Sequence, residues 1–102
     1  MKKPPFNQLL NQSEVPVLVD FYADWCGPCQ TLSPVVQSVA KDFGSSLKVI
    51  KINVDKNKAL AQKFGIRSIP TLVLFQKGKI SWKKAGLFSK RELITRINNS
   101  IN

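Results

Sequence analysis

Val15-Pro16-Val17-Leu18-Val19-Asp20-Phe21-Tyr22 runs straight into Ala23-Asp24-Trp25-Cys26-Gly27-Pro28-Cys29, and this junction decides the fold. The first half is rich in β-formers and almost continuously apolar, the pattern of a central strand covered on both faces. Beyond the second cysteine, Leu32, Val35, Val36, Val39, Ala40 and Phe43 keep the spacing of an amphipathic helix, with Pro34 inside it as an expected kink. Gly44-Ser45-Ser46 ends that helix. The only two cysteines in the chain therefore sit where a strand hands over to a helix.

Working outward, Phe6, Leu9 and Leu10 after Pro4-Pro5 predict a short opening helix with proline in its first turn. Leu47 to Val54 reads as a second strand and Asp55 to Phe64 as a short helix closed by Gly65. Pro70 precedes a third strand, Thr71 to Phe75. Lys77-Gly78-Lys79 turns the chain into a fourth, Ile80 to Ala85, as an antiparallel hairpin. Ser89-Lys90-Arg91-Glu92 is a capping box that opens a last helix, with Leu93, Ile94, Ile97 and Ile101 for packing. The order α-β-α-β-α-β-β-α predicts an α/β fold, a mixed sheet with helices on both faces.

At 102 residues the chain is read as one domain, 1–102, able to bury roughly two-thirds of its chain surface. Lys2 and Lys3 open no signal peptide, because Pro4-Pro5 and the polar residues that follow leave no apolar core for one. No run approaches membrane-spanning length, so the expected location is cytoplasmic. In a reducing compartment a lone cysteine pair points to catalysis or metal more than to a structural bridge. The net charge of +10 admits acidic proteins, anionic membrane or nucleic acid as partners. Its lysines are dispersed, with a modest gathering at Lys77, Lys79, Lys83, Lys84, Lys90 and Arg91. No Arg-rich or aromatic-interleaved stripe marks a nucleic-acid site.

Two thiols three positions apart on a first helical turn can close a small disulfide, the outer sulfur facing solvent and the unpaired N–H groups that favour a thiolate. Cys26 is then the candidate nucleophile and Cys29 the resolving thiol, one turn in and aimed at the core. Gly27 allows close approach and Pro28 stiffens the helix start. A static disulfide would stabilise little over so short a loop. A closed metal site lacks ligands, since the chain has no His and no third Cys, although two chains could share a cluster. Asp20 is costly inside an apolar strand. It is read as a buried acid that exchanges a proton with Cys29, the alternative being a solvated strand end. Lys51, amid Val49, Ile50, Ile52 and Val54, either partners Asp20 across adjacent strands or keeps a wet tip. Pro70 is either a strand boundary or a cis bond that presents the Ile69 backbone to a substrate chain. Trp25 reads as an exposed contact, and Asp24 as a solvated residue, the alternative being a cap for the helix. Trp82 is assigned to packing.

Val19 to Cys29, with Pro34, Lys51, Ile66-Arg67-Ser68-Ile69-Pro70-Thr71, Gly78 and Gly86, together resemble the thioredoxin family from about Phe6 to the C-terminus. Cys-x-x-Cys chemistry is itself best known from that family, so motif and resemblance are one line of evidence. The resemblance implies a thioredoxin-like fold and a protein-disulfide reductase needing no cofactor beyond a reversible Cys26–Cys29 disulfide. Its partners would be a thioredoxin reductase, NADPH- or ferredoxin-linked, and disulfide-containing clients, acidic ones among them. It carries the nucleophile onto Cys26, the resolving thiol onto Cys29 and the buried acid onto Asp20 with Lys51 nearby. It favours the cis reading of Pro70, puts the helix kink at Pro34, and places Trp25, Gly65, Ile69, Pro70 and Gly86 around a substrate-docking surface. Pro28 between the cysteines implies a reductant, because oxidising relatives carry histidine there. A redox-independent binding subunit that uses its basic surface is the other reading.

Four departures from the family pattern stand out: Tyr22 for tryptophan, Gln30 for a basic residue, Ser68 for glycine, and too little chain before Phe6 for the usual first strand. Pro4-Pro5 cannot form a regular ladder strand. A four-stranded sheet is therefore predicted, with Leu47–Val54 as an exposed edge that Lys48 could blunt, and Lys51 too unless it turns inward to Asp20.

Overall fold

The computed structural model describes residues 5–101, and the expectations attached to Met1–Pro4 lie outside them. The elements are α1 (Phe6–Gln12), β1 (Val17–Tyr22), α2 (Gly27–Phe43), a 3₁₀ turn (Gly44–Ser46), β2 (Lys48–Asn53), α3 (Lys58–Lys63), β3 (Thr71–Gln76), β4 (Lys79–Ala85) and α4 (Lys90–Ile101). The sheet is mixed and four-stranded, in the order β2-β1-β3-β4. β1 pairs with β2 in parallel across the α2 crossover and with β3 antiparallel. Among the described residues nothing pairs outside β2, so that strand is an edge, with Lys48 and Lys51 exposed along it.

The continuous apolar runs follow from two covered faces. Leu18, Leu72 and Leu74 point to one side, where they pack with Leu32, Val36 and Val39 of α2 and Leu93 and Ile97 of α4. The residues between them, Val17, Val19, Phe21, Val73 and Phe75, point to the other side and meet Leu10 of α1. Phe6 and Phe64 finish that second layer, their rings edge-on to Phe75 at centroid distances of 6.3 and 5.3 Å.

Local chemistry explains the boundaries. Lys77 and Gly78, with φ of 52° and 80°, supply the two positive-φ residues of a tight hairpin turn between β3 and β4. The Ser89 hydroxyl oxygen accepts from the Glu92 N–H at 3.1 Å, and Glu92 accepts from the Ser89 N–H at 3.2 Å, the expected capping box. Two expectations need correction. Pro5 precedes α1 at its N-cap and is not in its first turn. α3 begins at Lys58 and not at Asp55, because the Asn53 side chain captures the N–H groups of Asp55 and Lys56 in a turn of its own. The β3–β4 register also slips between Leu74 and Phe75. That bulge pairs Ile80 with Phe75 and Trp82 with Leu74, sending two residues of one sequence face to opposite faces of the sheet.

Candidate active site

At the carboxyl end of β1 the chain turns through Ala23–Trp25 and enters α2 at Cys26. Cys26 is the N-cap, in extended conformation, and its Sγ accepts a hydrogen bond from the Cys29 N–H at 3.1 Å. Asp24 is exposed, as its solvated reading expects, and a sulfur takes the capping place that the alternative reading offered it. The Asp24 carbonyl instead accepts from Gln30 Nε2. Gly27 and Pro28 form the first helical positions, where a missing proline N–H costs nothing.

Cys26 and Cys29 are joined as a disulfide, their Cα atoms 5.2 Å apart. Both are buried, at 4% and 5% exposure, so the outer sulfur is less open than the sequence suggested. Ala23, Tyr22, Val54 and Ile69 pack around the pair. The Ile69–Pro70 peptide bond is cis, and the Ile69 carbonyl oxygen lies 3.8 Å from Cys26 Sγ. The Pro70 carbonyl in turn accepts from the Gly86 N–H at 2.9 Å, which ties the loop after β4 to the loop before β3. Gly65 and Gly86 both carry positive φ, and a Cβ on Gly65 would press on Lys83 Nζ. Pro34 lies within α2, on its exposed side.

Trp25 projects from the surface beside the disulfide, 73% exposed, with its indole N–H donated to Asp55 at 2.8 Å. A slot of about 180 Å³ runs beside it between Val54, Ile66, Arg67 and Ile69. Nothing in the sequence pointed to Asp55, because its pairing with Trp25 spans thirty positions of chain.

Asp20 is 1% exposed and its Oδ1 has no hydrogen-bond partner. It shares the α2-facing side of β1 with Leu18 and Tyr22, the latter in contact with the cysteine cluster. Burial lifts its pKa from 3.8 to about 6, while the charge of Lys51 pulls the other way. Lys51 stands beside Asp20 in the β1–β2 register, yet its ammonium makes no contact ion pair with it. The Lys51 side chain is exposed, its Nζ donating to Ser33 Oγ at 3.2 Å and lying 4.6 Å from the Tyr22 ring centroid. Both sequence readings of Lys51 thus hold in part: a wet tip, and an electrostatic neighbour of the buried acid. Ser33 was not foreseen. With Tyr22, Gln30 and Lys51 it lines a cleft of about 180 Å³ that leads from solvent to Cys29. Among the described residues no three His, Cys, Asp or Glu side chains cluster as a metal site, and no helix is long and apolar enough to cross a membrane.

A capped cysteine pair at a strand-to-helix junction, a cis-proline loop against it and a buried acid on the strand that leads into it can be compared with known proteins. The thioredoxin family model matches residues 1–99. The chain is 47% identical to a thioredoxin of Rickettsia bellii over 96 residues, covering 94% of this chain and 91% of that one. A thioredoxin of Porphyra purpurea is 45% identical over 95% of this chain and 91% of its own. That of Pseudomonas aeruginosa is 43% identical over 94% and 89%. A solved structure described as that of a malarial protein superposes with a TM-score of 0.82 at 28% identity, over 87% of this chain and all of the other. The fold, the cysteine pair and these relatives agree, and the chain belongs to the thioredoxin family as a thiol–disulfide oxidoreductase.

Proposed function

We propose that the chain, as a single domain spanning 1–102, is a general protein-disulfide reductase in which Cys26 attacks and Cys29 resolves. The observation that carries this is the Cys29 N–H aimed at Cys26 Sγ at 3.1 Å, a donor that favours the thiolate at that sulfur. In the reduced protein the Cys26 thiolate attacks one sulfur of a client disulfide, and the other client sulfur leaves as a thiolate. Cys29, giving its proton to the ionised Asp20, then attacks the Cys26 sulfur. The second client sulfur leaves, and two electrons have passed from the protein dithiol to the client. A thioredoxin reductase, NADPH- or ferredoxin-linked, would return them. Pro28 and the absence of any histidine in the chain support the reducing direction.

The client chain would lie along Trp25, Gly65, Ile69, Pro70 and Gly86, with Lys51 tuning Asp20 and Gly27, Pro28 and Pro34 shaping the helix. Acidic clients suit the basic surface, a cytoplasmic location suits a reduced working state, and no metal or organic cofactor enters the cycle. The other reading, a redox-independent binding subunit, draws on the +10 charge. Dithiothreitol-driven insulin reduction separates the two. Loss of activity in both Cys26→Ser and Cys29→Ser is expected, and full activity in either would exclude the reductase.

A further inference from the structure

Part of the +10 charge that disulfide exchange does not use gathers in a groove between β4 and α4. The groove, about 620 Å³, is lined by Trp82, Lys84, Arg91, Glu92, Arg96 and Asn99 among others. Trp82 and Lys84 are two apart on β4, and both pair with residues on the side of the sheet that α4 covers. Glu92, Arg96 and Asn99 recur along one face of α4. The three cations face one carboxylate, and that carboxylate is committed. Glu92 is bonded to Ser89 at the helix start, which, with smaller pulls from the nearby charges of Lys84 and Arg96, holds its pKa below the usual value. Among the described residues the only ion pair is Lys90 with Asp42, so Lys84, Arg91 and Arg96 have no counter-charge in contact.

The floor of the groove orients two of the cations. The Arg96 guanidinium lies 5.5 Å from the Trp82 ring and 6.0 Å from Phe88, and Lys84 Nζ lies 5.4 Å from Phe88. The Trp82 indole N–H is buried without an acceptor, although a buried donor ordinarily has one. We propose that this groove docks an acidic peptide segment of a partner protein. Its carboxylates would pair with Lys84, Arg91 and Arg96.

Charge complementarity favours an acidic peptide, since three cations line the groove against one carboxylate. The guanidinium fork also matches a carboxylate. A nucleic acid finds no stacking platform, because Arg96 and Phe88 already lie against Trp82. A bilayer finds no exposed apolar anchor in the groove's lining. Lys84 lies two residues before Gly86 on the proposed docking surface. If the reductase reading holds, clients with an acidic segment near the reactive disulfide are therefore preferred. Binding at the groove does not itself depend on that reading.

The test is a titration of the oxidised, ¹⁵N-labelled protein with an oligo-glutamate peptide. Single-stranded oligo-thymidylate and phosphatidylserine vesicles are run alongside. A saturable shift of the Trp82 indole resonance, with that of Trp25 unmoved, is expected. The shift should weaken at least about tenfold in Lys84→Glu/Arg91→Glu, two exposed positions, with the resonances remote from the groove expected to stay in place. A Trp82 resonance unmoved by the peptide, a shift retained in the variant, or tighter binding of DNA or vesicles at the same residues would overturn the proposal. The variant should still reduce hydroxyethyl disulfide, a small neutral substrate. Loss of peptide binding is thereby told apart from loss of the redox chemistry.

Discussion

Replacing Asp20 by asparagine is expected to stabilise the oxidised protein at pH 8 and to slow it as a reductant. The carboxyl group is 1% exposed, with an unpartnered oxygen, and burial raises its pKa from 3.8 to about 6. Between these two values the folded chain holds a proton that the unfolded chain has released. Stability contributed by this group is therefore complete below about pH 4 and falls as the pH rises through about 6. A shift of about two units corresponds to about 3 kcal/mol. Asparagine carries no charge to desolvate, but its own unpartnered amide returns about 1 kcal/mol. The net gain at pH 8 is thus about 2 kcal/mol, falling through zero to a net cost of about 1 kcal/mol below about pH 4. Urea unfolding of the parent and the variant at both pH values reads this directly, because the difference between them cancels the other titrating groups. A variant that gains nothing between pH 4 and pH 8 would refute the buried-acid reasoning. In turnover, Asp20 accepts a proton only when ionised. The parent's rate should show an inflection near pH 6 that the variant lacks.

Ser33→Ala removes the hydroxyl that holds Lys51 Nζ at 3.2 Å. Freed towards Asp20, the ammonium should lower the carboxyl pKa and move the inflection of the pH–rate profile below about 6. Ser89→Ala breaks the capping box of α4 and should cost about 1 kcal/mol in urea unfolding, with activity unchanged. Leu74→Ala opens a cavity at a fully buried position between the sheet and its α2 and α4 layer. It should cost about 2–5 kcal/mol in the same assay.

The parts of the fold legible in the sequence are those set by short-range pattern. Val17–Tyr22 and Thr71–Phe75 read as central strands because burial on both faces demands continuous apolar side chains. Leu32 to Phe43 read as a helix because one face alone is buried. The turn at Lys77-Gly78 and the capping box at Ser89 announce themselves by residue type. What escaped depends on partners distant in the chain. The Asn53 side chain shortens α3, a bulge opposite Leu74 and Phe75 turns Ile80 away from Trp82, and Asp55 meets Trp25 across the loop. At the site, the spacing of Cys26 and Cys29 and the apolar surroundings of Asp20 were visible. Ser33 holding Lys51 was not, because a serine on a helix says nothing of the strand lysine above it. The cis bond at Pro70 was an open choice from the residues and was favoured by the family resemblance.

The division of labour between the two thiols is tested most directly by trapping. Reduced Cys29→Ser and Cys26→Ser proteins are each exposed to disulfide-containing clients, and covalent adducts are resolved under non-reducing conditions and by mass. Cys29→Ser should accumulate mixed disulfides through Cys26 that dithiothreitol releases, and Cys26→Ser should accumulate almost none. Equal trapping by the two variants, or trapping by Cys26→Ser alone, would contradict Cys26 as the attacking sulfur.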